Sequence, residues 1–250
     1  MKEKVLLAFS GGLDTSFCAM YLAKEKGYEV HTAVANTGGF SDEELKVIED
    51  KAYRLGAKTH KTLDVTNEYY DKSIKYMVFG NVLRNGTYPI SVSSERIFQA
   101  LAIINYAKEI NADYVAHGST GAGNDQVRFD LTFDVIAPNI KILTPTRDMV
   151  LTREYEINYL KEHGFVADFK KMEYSINKGL WGTSIGGKET LKSEQTLPDS
   201  AYPSQVVKTG EETVTISFEK GEITAINGEK DENKINLINK LEDIANKYGI

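Results

Sequence analysis

The sequence predicts an α/β fold, a doubly wound parallel sheet followed by part of a smaller α+β domain. Short apolar runs alternate with segments of helical periodicity through about the first 165 residues, and parallel strands need such crossovers, with helices covering both sheet faces. Glycine-containing turns punctuate those runs. After Gly164 the pattern changes to a glycine-rich stretch, two prolines between Leu197 and Ser204, and a hairpin-like alternation. The boundary is therefore placed between residues 1–165 and 166–250.

Taken in order, Val5 to Phe9 is a strand stopped by Ser10-Gly11-Gly12, and Asp14 to Glu25 is a helix with Phe17, Met20 and Tyr21 on one side. Glu29 to Ala35 is the second strand. Ser41 caps a helix with an acidic first turn that carries Leu45, Ile48, Ala52 and Leu55 and closes at Gly56. Ala57 to Asp64 reads as a strand, Asn67 to Leu83 and Ser94 to Ile110 as helices, and Asp113 to His117 and Ile140 to Leu143 as the last strands of the sheet. In the second domain Thr213 to Asn227 forms a hairpin turning at Lys220-Gly221. A final helix carries the stripe Ile235, Ile238, Leu241, Ala245 and Tyr248, which predicts self-association if uncovered.

Of the 250 residues 41% are apolar and 26% charged, enough for a sizeable core. Thirty Lys and Arg against 36 Asp and Glu leave a net charge of −6, which gives no long-range pull on nucleic acid or an anionic membrane. One cysteine, Cys18, allows no internal disulfide and suits a reducing compartment. With no run of 18 apolar residues, and a start that leads straight into a strand, a cytoplasmic protein is expected. The four histidines lack any metal-ligand spacing.

Ser10-Gly11-Gly12-Leu13-Asp14-Thr15-Ser16 joins the first strand to the first helix. Two glycines let the backbone approach an anion, Ser10, Thr15 and Ser16 add hydroxyls, and the helix start favours negative charge, so the turn is a phosphate site. Asp14 beside a polyphosphate either caps the helix or holds Mg²⁺, the cation being favoured. A Gly-x-x-x-x-Gly-Lys pattern at Gly182 to Lys188 is a decoy, because Glu189 replaces the required hydroxyl and no strand precedes it. The second cluster runs from His117 to Arg128 after a predicted strand, so both loops open on one sheet edge. Its glycines, Thr120, Asn124, Asp125 and Arg128 suit an amino-acid substrate, Arg128 by gripping a carboxylate through two bonds; Asn124 or Asp125 also reads as a helix cap. Tyr69, Tyr70 and Tyr76 are expected in a core or interface, Lys170-Lys171 is too short for a nucleic-acid patch, and Trp181 fits either a crevice wall or a domain junction.

The first turn resembles the pyrophosphate loop of the ATP pyrophosphatases, whose nucleotide domain is of the adenine-nucleotide α-hydrolase-like, Rossmann-like class. With the glycine-rich block His117 to Arg128, Tyr88 to Arg96, and Tyr174-Ser175 through Ser184, the sequence is similar to the argininosuccinate synthase family over essentially its whole length. That resemblance implies a ligase joining citrulline to aspartate through a citrullyl-adenylate, with ATP consumed to AMP and pyrophosphate. It implies that Ala8, Phe9, Ser10, Gly11, Gly12, Leu13, Asp14, Thr15, Ser16, Ala35 and Gly118 hold ATP, with Mg²⁺ as cofactor. Thr120, Asn124 and Asp125 would hold aspartate; Tyr88, Ser93, Asn124, Arg128, Ser175 and Ser184 would hold citrulline, with Asp14 and Arg128 nearest the chemistry. The segment from residue 166 on would be a partial synthetase domain, and the family's homo-tetramer its assembly.

The sequence departs from the family's pattern at Ala122, where many members carry lysine, at Thr144-Pro145-Thr146-Arg147 in place of Ala-Pro-Trp-Arg, and in length. Family members continue past the position of Ile250 with further citrulline contacts and a helix used in assembly. A nucleotide-binding module active only when complemented is thus the second reading. A tRNA-adenylating enzyme of the same loop class is the third, and it fits poorly with the charge and the single cysteine.

Overall fold

The computed structural model describes residues 2–121, 123–168, 174–187 and 189–250; Ala122, Lys170-Lys171 and Lys188 lie outside them. In chain order the elements are β1 (Lys4–Ala8), α1 (Leu13–Lys24), β2 (Glu29–Asn36), α2 (Asp42–Arg54), β3 (Thr59–Asp64), α3 (Thr66–Tyr69), a π turn (Tyr70–Ile74), α4 (Lys75–Phe79) and α5 (Ser91–Glu109). There follow β4 (Tyr114–Ala116), α6 (Asp125–Ile136), β5 (Lys141–Leu143), α7 (Pro145–Asp148), α8 (Arg153–Glu162), β6 (Ser175–Gly179), β7 (Gly182–Gly186), β8 (Ile216–Glu219), β9 (Glu222–Ile226), β10 (Glu229–Lys230) and α9 (Lys234–Ala245). The chain divides into two units, one of residues 1–65 and 93–173, the other of residues 66–92 and 174–250.

The first unit is the predicted α/β domain. Its sheet has the order β3-β2-β1-β4-β5, all pairs parallel. Because side chains alternate across a strand, Val5 and Leu7 of β1 enter one core with α1, α2 and α8, while Leu6 enters the other with α5 and α6. Phe17 of α1 stacks on Tyr21 and meets Tyr159 of α8 edge-on at 5.0 Å, which binds α8 back onto the first crossover. Ser41 and Glu44 form the expected reciprocal cap of α2: Glu44 N–H donates to Ser41 Oγ at 3.2 Å and Ser41 N–H to Glu44 Oε2 at 2.8 Å. The sheet order reverses direction between β1 and β4, and their carboxyl ends flank that switch point.

The segment 66–92 departs from the sequence expectation twice. It groups with residues 174–250 and not with the sheet that precedes it, so a single cut after residue 165 does not describe the chain. Nor is 67–83 one helix: a π turn separates α3 from α4, Gly80 ends α4, and Asn81 is left-handed with φ 44°. The wider turn brings the adjacent Tyr69 and Tyr70, together with Ile74, into the core, which two neighbours 100° apart on a regular helix do not readily share. Tyr76, by contrast, is exposed.

In the second unit β8 and β9 form the expected hairpin around Lys220-Gly221, both with positive φ as a tight primed turn requires, and β10 adds a third strand. Tyr70 donates to Glu222 at 3.1 Å, and the aromatic ring of Phe79 lies beneath the turn. The α9 stripe is turned relative to the expectation. Leu237, Leu241 and Ile244 cover Ile223 and Ile226 of the hairpin, so much of its apolar face is occupied. A separate antiparallel pair, β6 with β7, carries Trp181 at its tip.

A methyl group at Gly221 would sit 3.0 Å from Phe79 Cε1, whereas Gly210, also at positive φ, has no atom within 4 Å. Both Ala substitutions force a left-handed non-glycine residue, at about 1–2 kcal/mol, and only Gly221→Ala adds the steric clash, for about 1–3 kcal/mol more. Chemical denaturation comparing the two variants isolates that second contribution; equal losses would contradict the packing assignment.

Candidate functional site

The turn after β1 has the geometry an anion site needs. Gly12 occupies the N-cap of α1 with extended backbone and makes no side-chain cap, leaving the first-turn N–H groups of the helix untied by a side chain. Gly11 is left-handed at φ 75°, and a Cβ there would sit 3.2 Å from Ile48 Cγ1, so only glycine fits. Ser10 and Gly12 are exposed and Thr15 is half-buried, with Ser10 Oγ and Thr15 Oγ1 3.5 Å apart. Ser16 differs from the other hydroxyls. It is fully buried and donates to Gly12 O at 2.6 Å, so its one hydroxyl proton is spent on shaping the turn. Phe9 and Leu13 are buried as well, and Ala35 lies buried near the end of β2, so these three contribute backbone and not side chain to any site.

Across the switch point, Gly118 is packed against α1. A Cβ at position 118 would lie 3.1 Å from both the carbonyl carbon of Asp14 and the amide nitrogen of Thr15, which are backbone atoms and cannot swing aside. The rest of the loop is held from beneath. His117 is buried; its Nε2 faces Asp130 Oδ1 at 2.7 Å and its Nδ1 accepts from Ser119 N–H at 3.2 Å. That pattern fixes the proton on Nε2. Arg147 donates to Asp130 Oδ2 at 2.6 Å and to Gln126 Oε1 at 3.0 Å, and Gln126 Nε2 in turn donates to the carbonyls of Gly121 and Gly123. Burial alone would raise the Asp130 carboxyl, but the hydrogen bonds from His117 and Arg147 outweigh it and hold it below its usual range. Thr120 and Asn124 stand exposed on the loop.

Asp125 begins α6 and is held between two arginines. Arg96 Nε donates to its Oδ2 at 3.0 Å and an Arg128 nitrogen to its Oδ1 at 2.8 Å. It does not cap the helix; Asn124 is in the cap position but makes no side-chain cap either, which corrects the capping expectation for both. Arg96 also donates to Gln99 at 2.6 Å, and Gln99 together with Thr37 Oγ1, at 2.7 Å, satisfies the buried Glu95. Burial pushes the Glu95 carboxyl up against the opposing pull of Arg96. This chain of contacts ties the end of β2 to α5 and to the start of α6.

Asp14 points to a partner that the sequence did not suggest. Glu156 on α8 is buried and accepts from Thr146 Oγ1 at 3.1 Å. Burial, and then the Asp14 carboxylate hydrogen-bonded beside it, push the Glu156 carboxyl up to about 8. Thr146 also meets Cys18 Sγ at 3.5 Å, and burial raises that thiol to about 12, so Cys18 is an inert core residue. Asp14 is thus engaged toward α8 and makes no helix cap.

The remaining candidates lie on both sides of the division. Ser93 is on α5 in the first unit, while Tyr88, Ser175 and Ser184 belong to the second. Ser184 faces Asn177 across the β6–β7 pair and Ser175 faces Gly186, so the two serines share one face of that hairpin. The Tyr88 hydroxyl accepts from Val92 N–H at 3.2 Å. Trp181 donates to Pro89 O at 3.0 Å, making it the tie between the hairpin tip and the strand-like segment that carries Tyr88. Gly182, the start of the decoy motif, opens β7, and among the described residues the next element is a single 3-10 turn, Glu189–Leu191, rather than an α-helix.

Two outcomes follow from this geometry. Gly118→Ala forces the loops apart and lowers stability by about 1–3 kcal/mol, as overpacking against backbone does; unchanged stability in chemical denaturation would refute the close packing. Glu156 has a folded pKa of about 8 against an ordinary 4.5, so the folded state keeps a proton the unfolded chain has lost, and its contribution fades as pH rises through that window. Glu156→Gln is therefore more stable than the parent at pH 8 and flatter in thermal midpoint between pH 5 and 8; a parallel pH profile would sink the assignment.

Comparison with known proteins agrees with this layout. The family model described as the arginosuccinate synthase N-terminal HUP domain matches residues 4–166. Curated argininosuccinate synthases align along the chain: that of Methanocaldococcus jannaschii is 40% identical over 253 residues, covering 100% of this chain and 63% of its own. The Saccharolobus solfataricus protein is 39% identical over 248 residues, covering 98% and 62%, and the Aquifex aeolicus protein 38% over 257 residues, covering 100% and 63%. The chain thus spans a little over three fifths of the length of these relatives, at their N-terminal side. A parallel five-stranded sheet with its glycine loops at the switch point, matched by that family model over most of its residues, identifies the chain as a member of the argininosuccinate synthase family.

Proposed function

We propose that the chain carries the ATP, aspartate and part of the citrulline machinery of an argininosuccinate-forming ligase. The observation that carries this reading is the contact of Gly118 with the backbone of Asp14 and Thr15, which sets the phosphate turn and the amino-acid loop side by side. Ser10, Thr15 and the first-turn N–H groups of α1 hold the phosphates of ATP, with Ala8 to Leu13, Ala35 and Gly118 shaping the pocket. Thr120, Asn124 and Asp125 hold aspartate. Asn124, Arg128 and Ser93 hold citrulline; the family resemblance adds Tyr88, Ser175 and Ser184 as further citrulline candidates. The ureido oxygen of citrulline attacks the α phosphorus and pyrophosphate leaves; the aspartate amine then displaces AMP from the activated carbon. Fixed donors and substrate orientation supply the rate enhancement, with no covalent enzyme intermediate.

The residues fit Mg²⁺ arriving with the nucleotide. Among the described residues no three His, Cys, Asp or Glu side chains gather as a protein cage, and Mg²⁺ prefers one or two carboxylates plus phosphate oxygens and waters. Asp14 is the carboxylate on the turn that would hold it, and the ion would offset phosphate charge. Among the described residues no helix is long and apolar enough to cross a membrane. Homo-oligomeric assembly and a cytoplasmic location belong to the same proposal.

The coverage of 62–63% of the relatives favours a second reading, in which this chain binds nucleotide but turns over only with the residues that complete the citrulline site. Pyrophosphate release by the purified chain with Mg·ATP, citrulline and aspartate, omitting each amino acid in turn, decides between them. Citrulline-dependent release with argininosuccinate formed on adding aspartate supports the full ligase. Mg·ATP binding without release supports the module, and absence of Mg·ATP binding contradicts both. Arg128→Lys replaces a flat two-pronged donor by a point charge, so it weakens citrulline binding at least about tenfold while leaving ATP affinity within about twofold. Equal losses in calorimetry would count against assigning Arg128 to the amino acid.

A further inference from the structure

Beside the glycine turn stands a cation that lies outside its motif. Lys51, near the end of α2, donates from Nζ to Gly11 O at 2.7 Å. Its Cδ and Nζ each lie 3.8 Å from where a Cβ on Gly11 would sit, so the whole end of the side chain lies along the turn. Ser10 to Ser16 contains no Lys or Arg, and its one formal charge is the anionic Asp14. Among the described residues no carboxylate pairs with the Lys51 ammonium; burial, reinforced by Arg54, lowers its pKa. A half-buried cation without a counter-charge is costly, and an anion bound at the turn offsets that cost.

We propose that Lys51 supplies the positive charge the glycine turn lacks and, by holding the Gly11 carbonyl, keeps the turn's N–H groups open toward the β and γ phosphates of the nucleotide. This rests on the phosphate-turn reading above. Lys51 is a positioning residue acting through Gly11, and its charge is placed where pyrophosphate accumulates on leaving. Its effect therefore depends on how many phosphates the ligand carries, which a purely structural lysine would not show.

The test is calorimetry of the full chain and of K51M and K51R with ATP, inorganic pyrophosphate and AMP, each with Mg²⁺, at two salt concentrations. K51M is expected to weaken ATP and pyrophosphate about tenfold or more, to leave AMP within about twofold, and to flatten the salt dependence of pyrophosphate binding. K51R, which keeps the charge, is expected to recover most of the loss. An equal loss for AMP, no loss for any ligand, or no recovery in a K51R chain of parental thermal stability overturns the proposal. A parent chain that binds AMP as tightly as ATP and pyrophosphate instead overturns the phosphate-turn reading itself, whatever Lys51 does.

Discussion

The site depends on the absence of a side chain at position 118. Parallel pairing of β1 with β4 brings two loops to the same edge of the sheet, but pairing alone leaves adjacent loops separated by their side chains. At Gly118 the backbone of the second loop reaches the first turn of α1. The conformation at this position is an ordinary one; space is what demands glycine, unlike at Gly11, where left-handed backbone and crowding act together. Two loops built on separate crossovers are thereby brought into direct contact.

Around that contact several carboxylates are already paired. Asp125 lies between Arg96 and Arg128, Asp130 between His117 and Arg147, Glu95 receives Thr37 and Gln99, and Asp14 is hydrogen-bonded to Glu156. Such pairs add little to stability when exposed, but here they are partly or wholly buried and fix the rotamers of the side chains around the two loops. The consequence is rigidity: these donors and acceptors hold one arrangement through contacts within the protein itself. Arg147 illustrates how far the bracing extends, reaching through Gln126 to the carbonyls of the glycine loop from a separate helix.

The parallel sheet and both glycine loops were legible in the sequence because they have local signatures: short apolar runs, glycine punctuation and helical periodicity. Ser41 with Glu44 is legible for the same reason, since a cap is written within four residues. Lys51, Arg96, Arg147 and Glu156 were not singled out for roles, because an isolated charged residue has no periodicity and its partner lies far along the chain; Lys51 is 40 residues from Gly11. Ser16 misled in the opposite sense, a hydroxyl in the motif that turns inward. The allegiance of residues 66–92 was hidden by similar logic. Tyr69, Tyr70 and Ile74 announce burial without naming the core that covers them, and the π turn that buries them together has no sequence mark.

That same segment sets a timing problem for the growing chain. Residues 66–92 leave the ribosome before the sheet unit is complete, yet the residues they pack with begin about 80 positions later, at 174. At roughly 5–20 residues per second the interval is on the order of 4–16 s. Throughout it Tyr70 lacks Glu222 and the hairpin around it, while the strands on either side of the excursion can already pair. Vectorial synthesis therefore leaves Tyr70 without the hairpin that carries its partner until residues 216–226 emerge.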